Sequence, residues 1–192
     1  MLEKITEIVH QSLDIKCRFF ADHSADVARA ARILVESIKV GGKIFLFGNG
    51  GSASDAQHIA AEFVNRYVSD RPPIAAIALN TDGSVLTSIS NDSSFIHVFS
   101  RQLAALGKRG DVAICISTSG NSPNMIEAVK QAKQLGMTTV GLLGKDGGVL
   151  LRMVDNALIV PSTSTPRIQE VHIMIGHILC ELVEEELYGI KQ

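Results

Sequence analysis

The stretch Asp111-Val-Ala-Ile-Cys-Ile-Ser-Thr-Ser-Gly-Asn-Ser-Pro-Asn124 decides how the whole chain is read. Val112 to Ile116 is a short unbroken apolar run, the pattern of a strand buried on both faces. It gives way to four hydroxyl residues within six positions, Ser117, Thr118, Ser119 and Ser122, spaced by Gly120 and Asn121. Pro123 suits the first position of a helix and Ser122 before it is a preferred N-cap, so the spacing predicts a helix over about 124–135. A strand, a hydroxyl-rich loop and a helix N-terminus in that order form a place for an anion. Free backbone N–H groups and the positive end of the helix dipole attract it, and the hydroxyls add donors without adding charge. A capped turn alone accounts for Ser122 and Pro123; the other hydroxyls exceed that need and point to a phosphate.

Outward from this stretch, apolar β-like runs alternate with helical periodicity. The runs are Lys43–Phe47, Ile74–Leu79, Val112–Ile116, Thr138–Leu143 and Ala157–Val160. Helices are predicted between them at about 54–68, 83–89, 95–106, 124–135 and 147–153, and a last one runs from Pro166 to about Tyr188. Two further helical stretches, 2–20 and 25–39, precede the first run and stop at Gly41-Gly42. Short apolar strands alternating with helices give a parallel sheet covered on both faces. The expected fold is therefore a single α/β domain over 1–192. It is a three-layer α/β/α sandwich on a five-stranded parallel sheet, flavodoxin-like, in which 41–192 form the sheet core and C-terminal helix. The N-terminal helices of residues 1–40 carry more apolar positions than one sheet face needs and are assigned to oligomerisation.

Composition narrows the function classes. The chain has 192 residues, 46% of them apolar, with no Trp and a formal charge of −2; its mean hydropathy is +0.21. The core must be aliphatic, and the lack of a basic cluster argues against a nucleic-acid partner. No run approaches the ~18–20 apolar residues of a membrane span, and the early Glu3 and Glu7 do not suit a signal peptide. Cys17, Cys115 and Cys180 are odd in number and set in apolar contexts, as expected of reduced core thiols in a cytoplasmic protein. Glu181, Glu184, Glu185 and Glu186 read as a solvated helix face.

A second loop, Gly48-Asn49-Gly50-Gly51-Ser52-Ala53-Ser54, follows the first strand and again offers glycines, donors and a cap. It is neither a dinucleotide fingerprint nor a Walker loop. Ligands of open parallel sheets sit beyond the carboxyl ends of strands, where both loops lie. His58 and Glu62, four residues apart on the next helix, share a face and have the spacing of a two-ligand metal site; spacing alone favours an exposed pair, and only their place just after a phosphate-type loop makes the ligand reading its equal. Asn91-Asp92 reads as well as an ordinary Asx turn. The C-terminal helix carries Gln169, Glu170, His172 and His177. His172 is expected to serve packing or an interface, and His10, His23 and His97 to lie on the surface.

Gly48-Asn-Gly-Gly-Ser52, Ser117-Thr-Ser-Gly-Asn-Ser122 and Arg167-Ile-Gln-Glu170, together with Asp55-Ala-Gln-His58-Ile-Ala-Ala-Glu62, closely resemble the sugar-isomerase domain family. The likeness is greatest to the branch that acts on sedoheptulose 7-phosphate and covers nearly the whole chain. It implies a ketose–aldose isomerase that makes D-glycero-D-manno-heptose 7-phosphate through an enediol, the first step towards ADP- or GDP-heptose and the lipopolysaccharide core. It implies a homotetramer with active sites at subunit interfaces and one Zn2+ per subunit, bound by His58, Glu62, Gln169 and His177. Glu62 is the implied base and His177 the implied acid, and the two duties of Glu62 as ligand and base compete. Asn49, Gly50, Gly51, Ser52, Glu62, Asn91, Asp92, Ser117, Thr118, Ser119, Ser122 and Gln169 are the implied substrate contacts. Eight residues of helix rise ~12 Å, too far for Gln169 and His177 to meet one ion easily. Either Gln169 lies at an irregular helix start or the two come from different subunits. The family also contains a non-catalytic regulator that binds the replication initiator, and sugar-phosphate isomerases and sensors built as tandem or fused domains. The regulator lacks counterparts of Glu62 and His177, and this chain has neither tandem nor fused module.

Overall fold

A computed structural model describes residues 1–189. Helix α1 (Leu2–Lys39) leads into β1 (Ile44–Gly48), α2 (Gly51–Val64), β2 (Ala76–Ala78) and α3 (Gly83–Asp92). A 3-10 turn (Phe95–His97), α4 (Ser100–Leu106), β3 (Val112–Ser117), α5 (Pro123–Gln134) and β4 (Thr138–Gly144) follow. A second 3-10 turn (Val149–Arg152), β5 (Asn156–Val160) and α6 (Thr165–Tyr188) complete the described chain. The strands are the five expected from their apolar runs. The helix predicted over 147–153 is only a 3-10 turn, and that over 95–106 divides into a 3-10 turn and α4. The two N-terminal stretches are one continuous helix, because residues 20–24 contain neither Gly nor Pro to stop it.

All strands are parallel, in the order β2-β1-β3-β4-β5. The chain turns one way from β1 to β2 and the other way from β3 onward. The crevice beyond the paired carboxyl ends of β1 and β3 is therefore the topological switch point, where such sheets bind ligands. In the register Gly48 stands beside Ile116, so the glycine loop and the serine loop leave the sheet side by side.

Burial on both faces explains why the strands read as continuous apolar runs. Ile44, Leu46, Ile114 and Ile116 face one side and pack with α1, α2 and α6 through Phe19, Leu34, Phe63, Val171 and Ile175. Phe45, Phe47, Ala113 and Cys115 face the other and pack with α4 and α5 through Phe99, Leu103, Met125 and Val129. The first third of α1 extends past this core and exposes Leu2, Ile5, Ile8, Val9 and Leu13. No helix among the described residues is long and apolar enough to cross a membrane.

Three surface expectations change. Glu184 is not on a solvated face: it is buried against Arg71, with Arg71 Nε donating to its Oε1 at 2.7 Å. Cys17 is exposed on α1, whereas Cys115 and Cys180 are core thiols as expected. His23 and His97 are half-buried rather than exposed, His23 stacked on Phe19 and 3.1 Å from Asp26 Oδ2.

Candidate active site

The serine loop is held open by its own short bonds. The Gly120 N–H donates to Ser117 Oγ at 3.1 Å, and the Asn121 amide ties the loop to the segment after β4 by accepting from the Val149 N–H at 3.0 Å. Gly120 has φ +64, and a Cβ there would sit 1.9 Å from the Gly147 carbonyl oxygen, so this turn admits no side chain. The glycine loop is joined to the serine loop by a reciprocal amide pair. Asn49 Nδ2 donates to Asn124 Oδ1 and Asn124 Nδ2 donates to Asn49 Oδ1, both at 2.9 Å. Asn80 fixes Gly48 from beneath, donating to its carbonyl oxygen at 2.8 Å.

Between the loops lies a cavity of about 180 Å³ lined by Asn49, Ser52, Ile116, Ser117, Thr118, Ser119, Ser122, Thr165 and Gln169. No ionisable side chain lines it. Instead the N-termini of three helices meet there: Ser52 is in the first turn of α2, Ser122 is the N-cap of α5, and Thr165 is the first residue of α6. None of the three has a side-chain cap bond or an acidic first-turn residue. At α3, by contrast, Asp82 caps by accepting from the Val85 N–H. Uncapped N–H groups and three converging positive dipole ends make this a neutral-walled receptor for an anion.

The second half of the site stands further along α2 and α6. His58 Nε2 is 3.2 Å from Glu62 Oε1. The His177 ring lies edge-on to His58 with centroids 5.1 Å apart, and Tyr67 stacks on His177 at 5.6 Å. Imidazole nitrogens and a carboxylate are ordinary zinc donors. Asp55, one turn before His58, has its Oδ2 buried without a hydrogen-bond partner, and burial raises its pKa from the ordinary aspartate value. A cation near this face of α2 would relieve both. Among the described residues no three His, Cys, Asp or Glu side chains are already grouped to hold a metal. Gln169 is the fifth residue of a regular α6, not part of an irregular start. Its amide lies against the glycine loop, since a Cβ on Gly51 would be 2.4 Å from Gln169 Nε2.

Asn49, Ser52, Ser117, Thr118, Ser119, Ser122 and Gln169 thus share one cavity, with Gly50 and Gly51 in the adjoining turn. Glu62, His58 and His177 form a neighbouring cluster. Asn91 and Asp92 do not reach either. They are exposed at the end of α3, where Asn91 Nδ2 donates to Asp92 Oδ1 at 2.8 Å, and Asp92 lines a separate depression with Ser88 and Arg101. His172 is a packing residue: wholly buried, it donates from Nε2 to the Leu143 carbonyl oxygen at 3.0 Å, and burial lowers its pKa to about 4. The sequence reading missed Thr165, Asn124 and Tyr67. Ser164-Thr165-Pro166 repeats the hydroxyl-before-proline signature of Ser122-Pro123 and would have disclosed Thr165; Asn124 and Tyr67 carry no such local signal.

A hydroxyl-lined anion receptor at the switch point of a parallel sheet defines a phosphate-binding class of α/β domain. Residues 9–144 match the family described as SIS domain. The phosphoheptose isomerase of Thermodesulfovibrio yellowstonii is 50% identical over 188 residues, covering 98% of this chain and 94% of that protein. The phosphoheptose isomerase of Clostridium acetobutylicum is 51% identical over 185 residues, covering 95% and 94%. Among solved structures, the phosphoheptose isomerase of Neisseria gonorrhoeae superposes with a TM-score of 0.91 at 42% identity, covering 96% of this chain and 98% of that one. The chain belongs to the phosphoheptose isomerase family of SIS-domain proteins.

Proposed function

We propose that this protein is an aldose–ketose isomerase that converts sedoheptulose 7-phosphate to D-glycero-D-manno-heptose 7-phosphate. The observation that carries the reading is the meeting of three uncapped helix N-termini on one hydroxyl-lined cavity, with an acid–base cluster on two of the same helices. On α6 the cavity residue Gln169 and the cluster residue His177 are separated by ~12 Å of helix. Within one subunit that gap parts the phosphate cavity from the acid–base cluster, so the cavity of one subunit and the cluster of a neighbour form a shared site. The phosphate sits in the cavity, held by Ser117, Thr118, Ser119, Ser122, Thr165 and the α5 N-terminus. The reacting carbons, C1 and C2, then reach Glu62 and His177 of the neighbouring subunit.

Isomerisation transfers a proton from C1 to C2 through an enediol and needs a base at carbon and an acid at oxygen. Glu62 takes the C1 proton of the ketose as His177 gives a proton to O2. Collapse of the enediol returns the first proton to C2 from Glu62, and His177 recovers its own from O1. The remote phosphate grip holds the chain still while this happens, so binding energy is spent on orientation. His58, Glu62, Gln169 and His177 would hold one zinc ion, which when bound supplies Lewis-acid polarisation of the carbonyl oxygen. Because Gln169 stands in an unbroken helix, we infer that it joins the other ligands from a neighbouring subunit. The exposed Leu2, Ile5, Val9 and Leu13 on α1 support assembly into a homotetramer with shared sites. Two buried free thiols, Cys115 and Cys180, support residence in the reducing cytoplasm, and the product suits heptose precursor synthesis for lipopolysaccharide.

Conversion of sedoheptulose 7-phosphate, followed by the appearance of the aldose with and without a chelator, tests the reading. Turnover of this substrate is expected; turnover only of an aminosugar or pentose phosphate would replace it.

A further inference from the structure

We propose that Tyr67 is a positioning residue for His177, and that the buried Arg71–Glu184 pair is the anchor that keeps Tyr67 in place. After α2 ends at Val64 the chain runs through 65–75 to reach β2 with no regular structure of its own. Its order comes from the ion pair. Arg71 donates from Nε to Glu184 Oε1 at 2.7 Å, from Nη1 to the Phe63 carbonyl oxygen at 2.9 Å, and from Nη2 to the Glu62 carbonyl oxygen at 2.8 Å. Those carbonyls belong to the last turn of α2, which has no further helix to bond with. Glu184 Oε1 also accepts the Tyr67 N–H at 2.9 Å. The side chains of Arg71 and Glu184 are only 1% and 4% exposed, so the bonds are shielded from water and salt.

Tyr67 is consequently held by α6 at both ends. Its backbone bonds Glu184, and its ring stacks on His177 with an interplanar angle of 27°. His58 meets the other part of the same imidazole edge-on at 75°. An imidazole placed between a stacked ring and an edge has one preferred plane, and proton transfer at a carbon-bound oxygen depends on that plane. A bare stabilising role for the ion pair would not require its bonds to run to Glu62, Phe63 and Tyr67, the segment that flanks the cluster.

The inference rests on the assignment of His177 to proton transfer, and the test separates the two. In the intact enzyme Tyr67→Leu is expected to lower kcat for sedoheptulose 7-phosphate roughly 10- to 100-fold, the scale of a small misplacement, with KM within about twofold. Tyr67→Phe should restore kcat, because the ring and not the hydroxyl does the orienting. In parallel, the NOE cross-peaks between the ring protons of His177 and His58, assigned by their loss in His177→Gln, are read without substrate, because they report the imidazole plane and not the ring current of Tyr67. They should change in Tyr67→Leu and stay in Tyr67→Phe. The double replacement Arg71→Met with Glu184→Met leaves no lone buried charge and should reproduce both effects. Unchanged His177–His58 cross-peaks with wild-type kcat in Tyr67→Leu overturn the proposal, and wild-type behaviour of the folded double variant overturns the anchor. If the wild-type enzyme fails to turn over this substrate, the functional reading falls while the NMR arm still decides the positioning.

Discussion

Ser122 is the most exacting single residue of the anion receptor. It is the N-cap of α5 yet makes no side-chain cap bond, so its hydroxyl is free for a ligand. Replacing it with Ala should weaken sugar-phosphate binding by ~1.5–3 kcal/mol, the worth of a hydrogen bond to a charged group. Isothermal titration with a non-reacting heptose phosphate measures this, and unchanged affinity in both Ser119→Ala and Ser122→Ala would relocate the phosphate. Glu62→Gln keeps the size of the side chain but removes the base. Its kcat should fall ~10²–10⁴-fold with the fold intact, and stopped-time assays of aldose formation check it. These residues were legible because each sits in a local signature: hydroxyls before a proline, or two ligand types one turn apart. Arg71 and Glu184 were not. A carboxylate inside a Glu-rich helix looks solvated until a cation 113 positions away in the chain is folded onto it.

At the scale of elements, α6 carries the pH response. Neutral His172 donates from Nε2 to Leu143 and ties α6 to the end of β4, and burial lowers its pKa from 6.5 to about 4. The unfolded chain therefore takes up this proton first as pH falls. Stability should be full above about pH 6.5, decline towards pH 4 by at most about 3 kcal/mol, and stop changing from this cause below that. Burial pushes Glu184 the other way from its partners, but the Tyr67 N–H and Arg71 outweigh it and hold the carboxyl below the ordinary glutamate value. Its contribution is present above the unfolded pKa and lost as pH drops through the folded one, which lies on the acid side of the ordinary glutamate value. Urea midpoints at pH 7, 5 and 4 for wild type and His172→Leu resolve the two, since the variant should lose the His172 window only. Arg71→Met alone should cost ~3–5 kcal/mol by stranding the buried Glu184 charge. Strand positions were legible because both faces are apolar. The extent of α1 and the 3-10 turn at Val149–Arg152 were not, because a continuing helix and a single turn differ in tertiary contacts more than in local pattern.

For the molecule as a whole, the order β2-β1-β3-β4-β5 decides what the two loops can do together. Sequence alone placed both loops after strands; their adjacency required the order of the sheet. If Gln169 reaches a neighbouring subunit's metal, zinc binding and assembly are linked by mass action. Native mass spectrometry should then show chelator lowering the oligomer population, and a monomer that keeps one zinc as tightly would contradict the shared site. Because neutral imidazole is the ligating form, metal affinity should also fall at acid pH. The absence of ionisable side chains from the anion cavity has a further consequence, one of evolvability. Grip and chemistry are written in separate parts of the chain, the grip in backbone and hydroxyls at three helix starts and the chemistry in side chains well inside two of those helices. Replacing His58, Glu62 and His177 together should abolish turnover yet leave sugar-phosphate affinity within about tenfold, the share of one ordinary contact. Drift at those three positions would convert an isomerase into a receptor that reports sugar phosphate without consuming it, and no part of the anion site would have to change.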